Sequence, residues 1–190
     1  MKILITGDSF AADWSVKYPV TGWPNMLARE HDVTNIAQAG CSEYRILKQI
    51  ESQHLSEYDA VIVSHTSPYR VHTAYHPAHA GDALHGNSDF IYNDVKAHDI
   101  HSMVEYFEKF YDLDYARDMH NLICRRIDYL TFPYSGVIHI THFDWQKLFQ
   151  FTFMTNFVGI HKQHPGDANH YSTTGNELVL AKLNERLASI

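Results

Sequence analysis

Ile3-Leu4-Ile5 is a short, uninterrupted apolar run that closes at Gly7. Such a run fits a strand buried on both faces of a parallel sheet. Residues 23–30 predict a helix, with Pro24 accommodated in its first turn. Residues 33–36 predict a second strand, and Ala39-Gly40-Cys41-Ser42 a turn. Ser42 is placed to cap a helix over about 43–53, whose apolar positions Tyr44, Leu47 and Ile50 recur at helical spacing. Residues 59–64, Asp-Ala-Val-Ile-Val-Ser, are the clearest strand in the chain. Strand alternating with helix predicts right-handed crossovers and a parallel α/β sheet.

The pattern then loosens. Residues 68–87 carry His72, His76, His79 and His85 among Pro77, Gly81 and Gly86, which is loop composition. Residues 89–130 predict mainly helix, and Pro133-Tyr134-Ser135-Gly136 ends it. Residues 137–141 are a fourth strand candidate, and residues 151–160 a short strand or packed loop. Residues 172–187 predict a terminal amphipathic helix with Leu178, Leu180, Leu183 and Leu187 on or near its buried stripe. No repeat or linker divides the chain, so one domain over 1–190 is expected, with a helical and loop insertion at about 72–130.

Composition adds limits to this picture. With 45% hydrophobic and 19% charged residues, the chain has the material for a full core. A formal charge of −7 disfavours a polyanionic partner, so no nucleic-acid role is expected. No apolar run approaches the ~20 residues that a membrane helix needs. Residues 1–5 lead directly into Thr6-Gly7-Asp8 without the apolar stretch of a leader, so cytoplasmic residence is expected. Cys41 and Cys124 are too few for a disulfide scaffold and read as reduced packing residues.

Candidate chemistry sits at the two ends. Gly7-Asp8-Ser9-Phe10 places a serine hydroxyl just beyond the first strand, and Asp167-Ala168-Asn169-His170 places a carboxylate and an imidazole before the last helix. Nucleophile, base and orienter are the three groups of an acyl-transfer triad. In a parallel sheet, Ser9, Gly40 and residues 64–67 all follow strand ends, and therefore share one edge. The bland alternatives are a turn role for Asp8, a helix cap for Ser9 and a surface position for His170; His164 is a rival base.

With these residues, Ala39-Gly40 and the run Tyr171-Ser172-Thr173-Thr174-Gly175, the chain resembles the SGNH (GDSL-like) hydrolase family. The resemblance implies a three-layer α/β/α fold, with a flavodoxin-like parallel sheet of about five strands and helices on both faces. It implies Ser9 as nucleophile, His170 as base and Asp167 as the group that orients His170. It also implies an oxyanion hole from the backbone N–H groups of Ser9 and Gly40 and from an asparagine after the third strand. Here the chain departs from the pattern, reading Ser64-His65-Thr66-Ser67-Pro68-Tyr69-Arg70 with no Gly-x-Asn-Asp. Ser67 is the expected third donor, with Thr66 as the alternative, and Thr66 and Arg70 are expected to contact substrate. The implied activity is hydrolysis of an ester, an O-acyl group on a carbohydrate or other small alcohol, without a cofactor. The alternatives are a weak or inactive binding protein on the same scaffold and an O-acyltransferase.

Two further groups need a reading. His72, His76 and His79, with Asp82 nearby, resemble metal-ligand spacing, but Pro77 interrupts any helix that would align them and no cysteine is close. No metal is therefore expected. The aromatic run Tyr106, Phe107, Phe110, Tyr111 and Tyr115 is expected to form core or a lid over the pocket.

Overall fold

The computed structural model describes residues 1–144 and 154–190. Five parallel strands form one sheet: β1 (Lys2–Gly7), β2 (Asp32–Asn35), β3 (Ala60–His65), β4 (Val137–Thr141) and β5 (Met154–Asn156). Their spatial order is β2-β1-β3-β4-β5. This is the doubly wound α/β arrangement, in which the order reverses direction between β1 and β3. Part of the fifth strand candidate, residues 151–153, lies outside the described residues.

Alternation along each strand divides the core between the two faces. Ile3, Ile5 and Ile62 join Ile138 and Ile140 on one face. There they meet Trp23 and Leu27 of α1 (Trp23–Leu27) and Val179, Leu183 and Leu187 of α7 (Thr173–Leu187). Leu4, Val61 and Val63 point to the other face. They pack on Ile46, Leu47 and Ile50 of α2 (Glu43–Glu51) and on Ile127 of α5 (Leu113–Thr131). The three layers follow directly from this two-sided burial.

Three expectations shift in detail. The helical stretch over 89–130 is three helices: α3 (Tyr92–Ala97), α4 (His101–Lys109) and α5. Asp99, at φ 52°, separates the first two, and Asp112 caps α5 by accepting from the N–H groups of Asp114 and Tyr115. In α7 the buried stripe runs through Val179, Leu183 and Leu187, while Leu178 is exposed. Leu180 packs against the same core as a partly buried residue, and Asn176, one turn before Val179, extends the buried stripe. Finally, the aromatic run is not core: Phe110 and Tyr115 are 70% and 64% exposed, and Tyr106, Phe110, Tyr111 and Tyr115 line a pocket instead. Two short segments complete the chain before α7: α6 (Val158–Gln163) and β6 (Pro165–Ala168), the latter paired only through isolated bridges to Tyr171. No helix among the described residues is long and apolar enough to cross a membrane.

Candidate active site

Gly7 ends β1 in a conformation open to glycine, with φ 147°; a Cβ there would fall 2.5 Å from the Ser64 Cβ. Gln49 of α2 clamps this end, accepting from the Gly7 N–H at 2.7 Å and donating to its carbonyl at 3.1 Å. The chain then turns. The Phe10 N–H donates to the Asp8 carboxylate at 3.1 Å, and the Ala11 and Ala12 N–H groups donate to the Asp8 carbonyl. Asp8 is thus a turn residue, buried completely, and burial raises its carboxyl to about 6 despite the opposing charge of Arg70.

The turn presents Ser9 to the other end of the chain. The Ser9 Oγ lies 2.8 Å from the His170 Nε2, across 161 residues of sequence. Neighbouring groups fix both partners. The Trp14 indole N–H donates to the Ser9 carbonyl at 2.8 Å. The Asn169 side-chain amide donates to the same carbonyl at 3.3 Å and to that of Ala12 at 2.8 Å. Asn169 and His170 both adopt positive φ, 52° and 63°. Asparagine enters this region readily, whereas for histidine it is uncommon and costs about 1 kcal/mol or more. Asn176 holds the strained loop, donating to the carbonyls of Ala168, Tyr171 and Ser172 and accepting from the Trp23 N–H.

The His170 ring packs beside Phe10 and Trp14, with centroids 4.6 and 5.2 Å away. Burial lowers its pKa to about 4, and the positive charges of His161, Arg70 and His85 add to that shift. At neutral pH the imidazole is therefore neutral, the form that accepts a proton. Asp167 lies on β6 with its side chain exposed; it makes no side-chain hydrogen bond or ion pair among the described residues. His164, the rival base, caps the C-terminus of α6.

Ser9, Gly40, Arg70 and His170 line one cleft of about 190 Å³, together with His79, His85, Ser88, Asp89, Ile91 and Asp94. Gly40 requires its lack of a side chain twice over: φ is 76°, and a Cβ would stand 2.5 Å from the Ser88 Cβ. Neither the Ser9 N–H nor the Gly40 N–H donates to an acceptor among the described residues. Arg70 reaches the same turn, donating from Nη1 to the Gly40 carbonyl at 3.0 Å, while its buried Nε has no hydrogen-bond partner among the described residues.

The other two expected contacts lie elsewhere. Ser67 lines a larger neighbouring pocket of about 530 Å³, walled by Tyr44, Tyr106, Phe110, Tyr111 and Tyr115. Thr66 is fully buried, its N–H donating to Glu43 at 3.1 Å. Arg70 belongs to both pockets. Cys41 is buried, donates to the Gly7 carbonyl at 3.2 Å, and has its thiol pKa pushed well up by burial.

Sequence reasoning missed a buried polar network behind the site. Glu43 of α2 meets His65 of β3 at 2.6 Å and His120 of α5 at 3.3 Å. His65 continues to His139 of β4 at 2.9 Å, and His139 to Thr131 at 3.2 Å. Burial alone would raise the Glu43 carboxyl; His65 and His120 outweigh it and hold the group far below the usual carboxylate range. Glu43 follows Ser42 at the N-cap position and looks like an ordinary first-turn acid. Of its partners, His65 directly follows the predicted strand 59–64, and His120 lies unmarked within the predicted helical stretch 89–130.

No protein-family model and no curated protein sequence matches this chain. Among solved structures, the fold is similar to that of a member of the lipolytic protein G-D-S-L family from Veillonella parvula DSM 2008. The two share 14% identity at a TM-score of 0.53, over 100% of this chain and 99% of the other. The likeness extends over the full α/β domain, so the chain carries the fold of a GDSL-family protein.

Proposed function

We propose that this protein is a serine hydrolase of ester bonds, with Ser9 as nucleophile and His170 as general base. The observation that carries the reading is the 2.8 Å contact between the Ser9 Oγ and the His170 Nε2, which is within reach for proton transfer. The Ser9 hydroxyl attacks the acyl carbonyl as its proton passes to Nε2. The oxyanion of the tetrahedral intermediate accepts from the free N–H groups of Ser9 and Gly40. Arg70, on the same cleft wall, takes the place of the third donor or binds the oxygen-rich part of the substrate. His170 then returns the proton to the departing alcohol, leaving an acyl-enzyme. Water attacks that ester with His170 again as base.

The substrate class is an O-acyl ester of a small alcohol or carbohydrate. The small polar cleft suits the acyl group, and the aromatic pocket beyond Arg70 suits the alcohol. Asp167 is assigned the orienting role that the resemblance implies. Its exposed position makes it the weakest member of the constellation, so Asp167→Ala is expected to cost far less activity than His170→Ala.

Hydrolysis of a short-chain aryl acetate by the purified chain tests the proposal. Ser9→Ala and His170→Ala are each expected to lower kcat by about 10³-fold or more. Activity that survives both substitutions defeats the reading. The competing reading is a catalytically silent binding protein, which the lack of a carboxylate bonded to His170 among the described residues favours. A fluorophosphonate probe separates the two: labelling of Ser9 supports the hydrolase, and an unlabelled Ser9 the binding protein.

A further inference from the structure

We propose that His76, His79 and Asp94 form a binding site for a divalent transition metal, zinc, in the wall of the Ser9–His170 cleft. His76 and His79 come from the loop after β3, and Asp94 from the first turn of α3. One ligand atom from each lies within 4.8 Å of the others. The His76 Nε2 is 2.9 Å from the Asp94 Oδ2, and the His79 Nε2 is 3.1 Å from both carboxylate oxygens. The two imidazole rings face each other with centroids 4.4 Å apart.

Hydrogen bonding alone leaves this cluster incomplete. The His76 side chain is fully buried, yet neither ring nitrogen has an aligned hydrogen-bond partner among the described residues, in spite of the close Asp94 oxygen. A buried imidazole without an aligned hydrogen bond is a costly arrangement. A metal ion removes the part of that cost that falls on Nε2, because Nε2 then donates its lone pair to the metal and the carboxylate supplies the third ligand. Two imidazoles and a carboxylate suit zinc, which binds such nitrogens at about 2.0–2.1 Å and keeps a fourth position for water or substrate when only three ligands come from protein. Magnesium and calcium, which prefer oxygen, fit this donor set poorly.

The surroundings support the assignment. His98 packs outside the cluster, its Nδ1 3.0 Å from the Asp94 main-chain carbonyl and 3.4 Å from Oδ1. It ties down the Asp94 backbone and stands close to the carboxylate, a neighbour of the kind found around metal centres. His79 and Asp94 line the same cleft as Ser9 and His170, whereas His76 stands behind them. The open coordination position therefore faces the cleft. The set differs from the one suggested by sequence spacing. His72 is held by Asp89 at 3.1 Å, and Asp82 is taken by Lys17 and by the N–H groups of Leu84 and His85.

The site is tested by binding alone, independently of any esterase activity. The full chain without a histidine tag is stripped with a chelator and titrated with zinc chloride against a chromophoric competitor. One equivalent is expected to bind with a Kd below about 1 µM. His79→Gln and Asp94→Asn are each expected to weaken binding at least about tenfold. His101→Ala on α4 and Ser9→Ala are expected to leave it unchanged. Both ligand variants alter partly exposed side chains, and circular dichroism confirms their folding; should Asp94→Asn unfold, His79→Gln carries the test. Cobalt(II) is expected to give the visible absorption of a four-coordinate site, lost in the same variants. Absence of stoichiometric zinc binding, or binding undiminished in the folded variants, overturns the proposal.

Discussion

His170 owes its chemistry to its environment. An ordinary histidine is half protonated near pH 6.5, and therefore loses basic capacity on mild acidification. Burial against Phe10 and Trp14, with Arg70 and two further histidines nearby, brings this one to about 4. In the proposed mechanism the base form is the working form, and its fraction falls only as pH drops through that value. We expect kcat/KM for aryl acetate hydrolysis to hold level from neutral pH down to about 5, with an acid limb near pH 4. A pH–rate profile over that range checks it, and a limb at the usual histidine position contradicts the environment described. Ser9 and His170, the proposed nucleophile and base, were legible as residue types from the two short motifs. The Asn169 amide on the Ser9 carbonyl was not legible, because an asparagine inside a four-residue motif gives no hint of a left-handed backbone or of a partner 160 positions away.

At the scale of elements, α2 is fixed to β3 and α5 by the carboxylate of Glu43. The side chain is buried and bonded to His65, His120 and the Thr66 N–H. Removing one partner of a buried ionic group typically costs about 3–5 kcal/mol. Glu43→Gln is therefore expected to destabilise the fold by that order at neutral pH, read by urea denaturation. The sign with pH follows from the depressed carboxyl. The contribution is fully present above the unfolded value near 4.5 and is lost as pH falls below it toward the folded pKa. The difference between the two proteins should narrow in acid. The strands and helices of the first 65 residues were readable because each buried run has one period and sharp turn residues. The helices over 92–131 were harder: their breaks at Asp99 and Asp112 depend on a positive φ and a side-chain cap, with no proline or glycine to announce them.

For the whole molecule, the sheet brings the turns after β1, β2 and β3 to one edge, where the C-terminal loop closes over them. Ser9, Gly40 and Arg70 come from those three turns, and His170 from the loop. The alternation of strand and helix predicts Ser9 and Gly40 at this edge together with residues 64–67; from the third turn it is Arg70 that lines the cleft, and His170 is singled out by the terminal motif. The wall formed by residues 76–94 was not legible, since loop histidines have no period from which to place them. The two ends are joined by Asn169 and Asn176, which makes the clasp testable. Asn169→Gly keeps the backbone freedom but loses both amide bonds. It is expected to lower thermal stability by about 1–2 kcal/mol and to lower kcat more than KM is raised, measured by melting and by steady-state kinetics together. A loss of stability with undiminished kcat would separate the clasp from the chemistry.

Arg70 is the side chain common to the small cleft and the aromatic basin, and it is anchored on the Gly40 carbonyl. It stands on the shared border, a partition between two rooms. Under the proposed function, shortening it to alanine would do more than delete a charge: it would open the border between the rooms, and a bound ester would lose the feature that sorts its acyl side from its alcohol side.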